Sequence, residues 1–502
     1  MAYLRTVKTA SGARAVQIVH SSHHGSRDIE HIGSAHTDTE LELLKATARQ
    51  RLTADQQELD LGLDPAPEEG GPLPITASRM GHLTDALTTA YTALGFDHAS
   101  SGDKVFGHLV LARIIEPTSK LDSLRVLSEA GIPPTSYRTL KRRLPDYSTA
   151  EFKELLAAAC ARHTGLGPTT LVLYDVSTLY FETDTGDGFR EPGFSKERRL
   201  EPQVTIGLLT DASGFPLMVH AFEGNKAETT TMVPTLQAFM AAHGLGDVTI
   251  VADAGMISQA NMRAIEAQGL TFILGMKVPD VPYVVKQWRQ DHPDQEVADR
   301  HIFTQPWPAG PSDQRRDQVH YYQYSADRAR RTLKGIDEQV RKAEQAAAGK
   351  TAVKRNRFVK LTGAAKSVNR SLETKARALA GIKGYATNLA DPTPEFVIGA
   401  YHRLFQIEKS FRMAKSDLAA RPIYHHTRDS IEAHLTIVFA ALAVSRWIED
   451  ATGWSIKRFV KTLRRYRTIQ LQAGGHTITA ADPLPAEARR ALEAIKLRAA
   501  TH

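Results

Sequence analysis

Thr170-Leu171-Val172-Leu173-Tyr174-Asp175-Val176-Ser177-Thr178-Leu179-Tyr180-Phe181 decides the fold of this chain. Its β-branched and aromatic residues suit a pleated, largely covered surface, so the stretch reads as a long strand. Asp175 interrupts its apolar character. Taken singly, an Asp at such a place is usually a helix cap or a turn former.

Two strand-like runs follow, residues 203–210 and 217–222. The turn-forming Asp211-Ala212-Ser213-Gly214 joins them, and the three strands make a meander. Beyond them the pattern predicts a helix over 229–242, a buried strand over 248–252, a helix over 258–268 and a fifth strand over 271–276. The order β-β-β-α-β-α-β is that of an RNase H-like core, α/β in class, with a mixed five-stranded sheet between helices. A helical crossover lays the fourth strand parallel to the first. Asp253 directly follows that fourth strand, so Asp175 and Asp253 become neighbours.

Composition divides the rest into modules. Residues 1–72 begin with hairpin-like alternation, 3–7 and 15–19 around a Ser11-Gly12 turn, then a helix over 39–51. They end in a Pro/Gly-rich acidic linker over 64–72. Residues 73–166 are helical by pattern. Within them a helix over 119–130, the Gly131-Ile132-Pro133-Pro134 turn and a second helix capped by Thr135 outline a helix-turn-helix. The second helix carries Arg138, Lys141, Arg142 and Arg143, and Arg138 and Arg142 are candidate DNA contacts; an αα-hairpin in any bundle shares this outline. The core's first part covers 167–278. Residues 279–395 read as an inserted basic subdomain with strand-like pieces at 301–304, 319–324 and 385–389. The core resumes over 396–450, and 451–502 read as a basic helical region carrying Lys457, Arg458, Lys461, Arg464, Arg465 and Arg467.

With 502 residues, 42% hydrophobic and 24% charged, the composition is that of a globular protein of several domains. The single cysteine, Cys160, excludes an internal disulfide and points to a reducing cytosol. The initial MAYLRTVKTASG lacks the apolar centre of a signal peptide. The longest apolar run, 435–444, falls well short of the ~20 residues of a bilayer span and reads as a buried helix. The net charge of +7 is concentrated: residues 328–377 hold fifteen Lys/Arg against four Asp/Glu, which leaves −4 for everything else. Such a patch suits a phosphate-bearing partner, although a solvated helical face can carry one as well.

The segment Tyr401-His402-Arg403-Leu404-Phe405-Gln406-Ile407-Glu408-Lys409-Ser410-Phe411-Arg412-Met413-Ala414-Lys415 lacks Pro and Gly and reads as one helix. Spacing by sevens puts Tyr401, Glu408 and Lys415 nearly in line beside Leu404, Ile407 and Phe411, so Glu408 is expected to look inward. Its ordinary partner would be Arg412, one turn on. Together with Asp175 and Asp253, however, Glu408 completes three oxygen ligands suited to Mg²⁺ or Mn²⁺. Two such ions ~3.5–4 Å apart serve an in-line phosphodiester displacement.

These residues resemble the catalytic triad of the DDE transposases: Asp175 in LYDVSTLYF, Asp253 in VADAGM and Glu408 in the 401–415 segment. The likeness is closest to the bacterial insertion-sequence transposases with a Y-x₂-R-x₃-E-x₆-K signature and an insertion before the Glu. It runs from about residue 165 to 450, through QVTIGLLTDASGFPLMVHAFEGNKAETTTM and KSFRMAKSDLAARPIYHH. One position departs: the signature's Arg falls on Leu404, so the adjacent Arg403, or Arg412, would take its place. The resemblance implies that Tyr401 and Lys415 contact phosphates beside the cleaved bond, and that two divalent ions are bound. It further implies a homodimer that synapses terminal inverted repeats of double-stranded DNA, cuts them and joins the freed 3′-hydroxyl to target DNA. Asn225, Lys226 and the loop 190–199 lie where the rim of the site is expected.

Three rivals remain. A phosphatase with an Asp nucleophile would want a second Asp where Ser177 stands. Leu404 lends some weight to a transposase descendant that binds DNA without cutting. A plain metal-dependent nuclease would have no need of the additional modules.

Overall fold

The computed structural model describes residues 2–9, 12–21, 27–37, 40–41, 44–45, 47–48, 51–52, 73–166, 170–183, 185–193, 200–243, 248–256, 259–311, 315–352, 356–362, 365–473 and 476–501. The expected linker over 64–72, much of the 39–51 helix, Ser11 of the first turn and the end of the 190–199 loop lie outside the described residues. The chain forms two compact units, Met1–Leu73 and Pro74–His502. In the first, strands Ala2–Lys8, Arg14–Ser21 and Arg27–Ala35 pair antiparallel, and Val16 and Ile18 are buried with Leu41 and Ala48.

The second unit is built on one mixed sheet. Its strands are β1 (Thr170–Tyr180), β2 (Gln203–Asp211), β3 (Pro216–Glu223), β4 (Val248–Ala252), β5 (Thr271–Met276), β6 (Ile302–Trp307), β7 (Gln318–Tyr324) and β8 (Ile382–Thr387). Their order is β6-β7-β8-β5-β4-β1-β2-β3. β1 pairs antiparallel with β2 and parallel with β4, and β4 pairs parallel with β5. The sheet therefore has eight strands rather than the five expected. An unpaired β5 would leave a row of open N–H and C=O groups, and β8, returning from the 279–395 segment, covers that edge. Between β7 and β8 the chain makes a basic excursion: helix Ala326–Ala347, the hairpin Val359–Thr362 with Ala365–Val368, and helix Arg370–Ala378. Ile336, Val340, Ala343 and Phe358 give it a small core of its own, while Lys334, Arg341, Lys342 and Lys350 are exposed.

Each face of the sheet is covered by helices. The pleat sends Val172 and Tyr174 to one core, with Met232, Leu236 and Phe239 of helix Glu228–His243. It sends Leu171 and Leu173 to the other, with Leu435, Val438 and Leu442 of helix Arg428–Thr452. That helix alone, among the described residues, is long and apolar enough to cross a membrane, yet its apolar window is 94% buried within the protein. It is the core helix anticipated from residues 435–444. Helices Gly81–Ala93, Lys104–Ile115 and Ala486–Ala500 pack around it. The C-terminal region is not helical throughout: strands Thr468–Ala473 and His476–Ala481 form a hairpin that pairs with Ile75–Arg79. The expected two-helix unit comprises Ser123–Ala130 and Tyr137–Arg143, and the second is capped by Ser136 rather than Thr135: its Oγ accepts the Thr139 N–H at 3.1 Å.

Candidate active site

Strand pairing brings the two aspartates together. The parallel ladder matches Tyr174 to Ala252, the last residue of β4, so Asp175 and Asp253 come next on adjacent strands. β4 stops there while β1 runs on to Tyr180, which leaves Asp175 without a strand neighbour on that side. By the pleat, Asp175 shares the face of Leu171 and Leu173, toward the helices that follow residue 394. It is half-buried, and its Oδ1 accepts the Val176 N–H at 2.8 Å. Asp253 is exposed, and its Oδ1 accepts the Tyr401 hydroxyl.

The 401–415 segment is not one helix. Helix Pro394–His402 ends at Arg403, helix Leu404–Arg412 starts from it, and Met413–Asp417 closes as a π-helical turn. Arg403 N–H donates to the Ala400 carbonyl at 3.1 Å and Gln406 N–H to the Arg403 carbonyl at 2.8 Å, tight i→i−3 bonds that mark the joint. The alignment by sevens is therefore lost: Tyr401 is 5% exposed, whereas Glu408 is exposed and does not look into the core. Separate anchors explain the joint. The Tyr401 ring packs edge-on to Tyr385 at 5.0 Å and over Gly275, where a Cβ would lie 2.7 Å from the ring. On the second helix, buried Ser410 donates to the Gly214 carbonyl at 2.6 Å. Arg412 is also exposed, and the i,i+4 pair with Glu408 is not formed among the described residues.

Lys383 joins this group, and sequence reasoning missed it. It lies on β8, with Nζ 4.2 Å from the Tyr401 ring centroid. Burial pushes its ammonium pKa down, Asp253 and Glu408 act to raise it, and Arg328 lowers it. Burial likewise raises the Tyr401 hydroxyl, reinforced by the hydrogen bond and charge of Asp253 and by Tyr385 and Asp175. Lys383 thus feels both Asp253 and Glu408, and Tyr401 both aspartates. The only sequence signal is a lysine two residues before the strand-like stretch that begins at Tyr385.

Other expected site residues are placed as follows. Lys415, half-buried in the π-helical turn, lines a small apolar cavity with Ser177, Leu179 and Phe411. Arg403 is exposed at the joint between the helices. Arg138 and Arg142 are exposed on helix Tyr137–Arg143, while Arg143 is tied to Asp103 at 2.6 Å. Asn225 and Lys226 are exposed just beyond β3. The three carboxylates are hard oxygen donors of the kind divalent cations take. Among the described residues, no three His, Cys, Asp or Glu side chains converge closely enough to hold a metal ion.

A family model described as a transposase DDE domain matches residues 166–444. Among solved structures, the cryo-EM structure of a piggyBac transposase synaptic complex with hairpin DNA is similar, with 11% identity and a TM-score of 0.40 over 83% of this chain and 74% of that chain. No curated protein sequence matches the chain.

Proposed function

The chain belongs to the transposases with a DDE domain, whose model spans more than half of it, and on that premise we propose that it cuts DNA at the terminal inverted repeats of an insertion sequence and joins the freed ends to target DNA. The observation that carries this reading is the adjacency of Asp175 and Asp253 on parallel strands, with Asp253 hydrogen-bonded by Tyr401, one joint away from Glu408. The strand order β3-β2-β1-β4-β5 within the larger sheet supports an RNase H-like core, and the excursion between β7 and β8 supports an insertion into it.

Members of this family generally use divalent metal ions. Here Asp175, Asp253 and Glu408 would hold them, Mg²⁺ or Mn²⁺ and two in number, once the three carboxylates draw closer together than they stand here. Bound divalent ions would supply the Lewis acidity that activates the attacking oxygen and stabilises the leaving one. The chain's own residues do the positioning. Tyr401 holds Asp253 in one orientation, and Lys383 sets a positive charge beside Asp253 and Glu408, where a DNA phosphate would be received. Arg403, Arg412 and Lys415 would contact the backbone near the cut, and Arg138 and Arg142 would contact it outside the site. A homodimer would synapse two ends, acting in the cytosol. The inserted basic excursion supports DNA recognition beyond simple cutting.

Leu404 gives some support to a second reading, a descendant that binds without cutting: it is 8% exposed in the core, so the signature's Arg has no room at that position. Duplex DNA ending in the element's own repeat, incubated with a second plasmid and Mg²⁺, separates the two. The proposal expects repeat ends joined through 3′-hydroxyls to the plasmid. Specific binding with no broken strand under any divalent metal would favour the descendant.

A further inference from the structure

Helix Lys104–Ile115, the loop after it and helix Arg428–Thr452 enclose a cavity of about 350 Å³ lined by Arg113, Lys120, Tyr137, Tyr424, His425 and His434. Arg113 and Lys120 are each 5% exposed and His434 is 3% exposed. Lys and Arg are almost never buried this deeply without a carboxylate, and none lines this cavity. The nearest acid in sequence, Asp122, is taken by the Thr118 hydroxyl at 2.8 Å and the Arg125 guanidinium at 2.8 Å.

The hydrogen bonding leaves donors to spare. His434 Nε2 lies 3.1 Å from the Ala420 carbonyl and must donate to it, so Nδ1 accepts from Lys120 Nζ at 3.0 Å. Among the described residues nothing takes up the remaining Lys120 protons or the Arg113 guanidinium. The electrostatics agree. After burial, what depresses Lys120 is Arg113, and what depresses His425 and His434 is chiefly Lys120 and Arg113. Burial alone lowers Arg113 to about 10.

We propose that this cavity binds a phosphate group between Arg113 and Lys120. The favoured source is the DNA backbone, because Tyr137 at the rim opens the helix on which Arg138, Lys141 and Arg142 are exposed. Assigning the phosphate to DNA rests on the transposase reading. The anion chemistry of the cavity does not.

The test is thermal unfolding of the full chain in inorganic phosphate against chloride at matched ionic strength, for wild type and Lys120→Met. Wild type should gain several degrees as phosphate rises, and the variant should require at least tenfold more phosphate. The variant should fold at least as well without phosphate, since an uncompensated buried charge is gone. If duplex DNA competes with phosphate, and Lys120→Met reduces the salt slope of DNA binding by about 1, the backbone is the source. Protection by phosphate with no competition from DNA would overturn that source and leave a free-phosphate site. Protection by neither overturns the proposal, and this needs no variant to be read. Loss of DNA cleavage in a carboxylate variant bears only on the transposase reading.

Discussion

Tyr401 is buried against Gly275 and Tyr385 and commits its hydroxyl to Asp253, which makes it a positioning residue in this geometry. Removing a hydrogen bond to a charged group costs about 1.5–3 kcal/mol. Tyr401→Phe should therefore slow metal-dependent cleavage roughly 10- to 100-fold while leaving repeat binding in a gel-shift assay unchanged; equal cleavage rates would refute the role. At this scale the sequence was informative where polarity clashed with its surroundings. Asp175 in an apolar strand and Asp253 at the end of another were visible for that reason. Lys383 was not: more than a hundred residues separate β5 from β8, and only sheet pairing sets Lys383 over the Tyr401 ring.

The joint at Arg403 frees Glu408 from the burial imposed on Tyr401. Nothing local announces it, since the segment has no Pro or Gly; two tertiary anchors impose it. One of them is Gly214, whose φ of +87° lies in the left-handed region and where a Cβ would lie 2.7 Å from the Gln406 carbonyl oxygen. Gly214→Ala should lower stability by about 1–3 kcal/mol. It should also displace the helix carrying Glu408, so that cleavage falls further than repeat binding in paired assays. Unchanged cleavage at a lowered melting midpoint would show that the helix does not depend on this turn. Ser410→Ala, losing a buried bond to the Gly214 carbonyl, should cost about 1 kcal/mol by denaturant titration.

The whole molecule shows where local pattern stops being enough. The meander and the two crossovers were legible because periodicity and turn residues are local properties. The pairing of β6, β7 and β8 onto the sheet, and of the C-terminal hairpin onto Ile75–Arg79, depends on which edge is open, which no single stretch records. One of these added strands, β7, lies between β6 and β8 and carries His320, 8% exposed and stacked on Trp307, and burial with the Arg315 charge lowers it from 6.5 to about 4. A depressed histidine pKa means that the unfolded chain takes up the proton first. Its contribution is complete above about 6.5 and is lost as pH falls from there toward 4. Between pH 7 and 5 this single site should remove roughly 2 kcal/mol. The melting midpoint should fall over that range, and less steeply in His320→Gln; identical slopes would contradict the assignment.

The central claim is that Asp175, Asp253 and Glu408 act as one metal-dependent site. Glu408 tests it most directly, because its side chain is exposed and its removal should change stability by no more than ~0.5 kcal/mol. The measurement is the cleavage rate of repeat-ended DNA in Mg²⁺ by wild type and Glu408→Gln at equal bound fraction, with EDTA as the blank. The account predicts metal-dependent cleavage at the repeat boundary in wild type and the EDTA background in the variant. Cleavage by Glu408→Gln at the wild-type rate would contradict it and return the helix Leu404–Arg412 to a purely structural role.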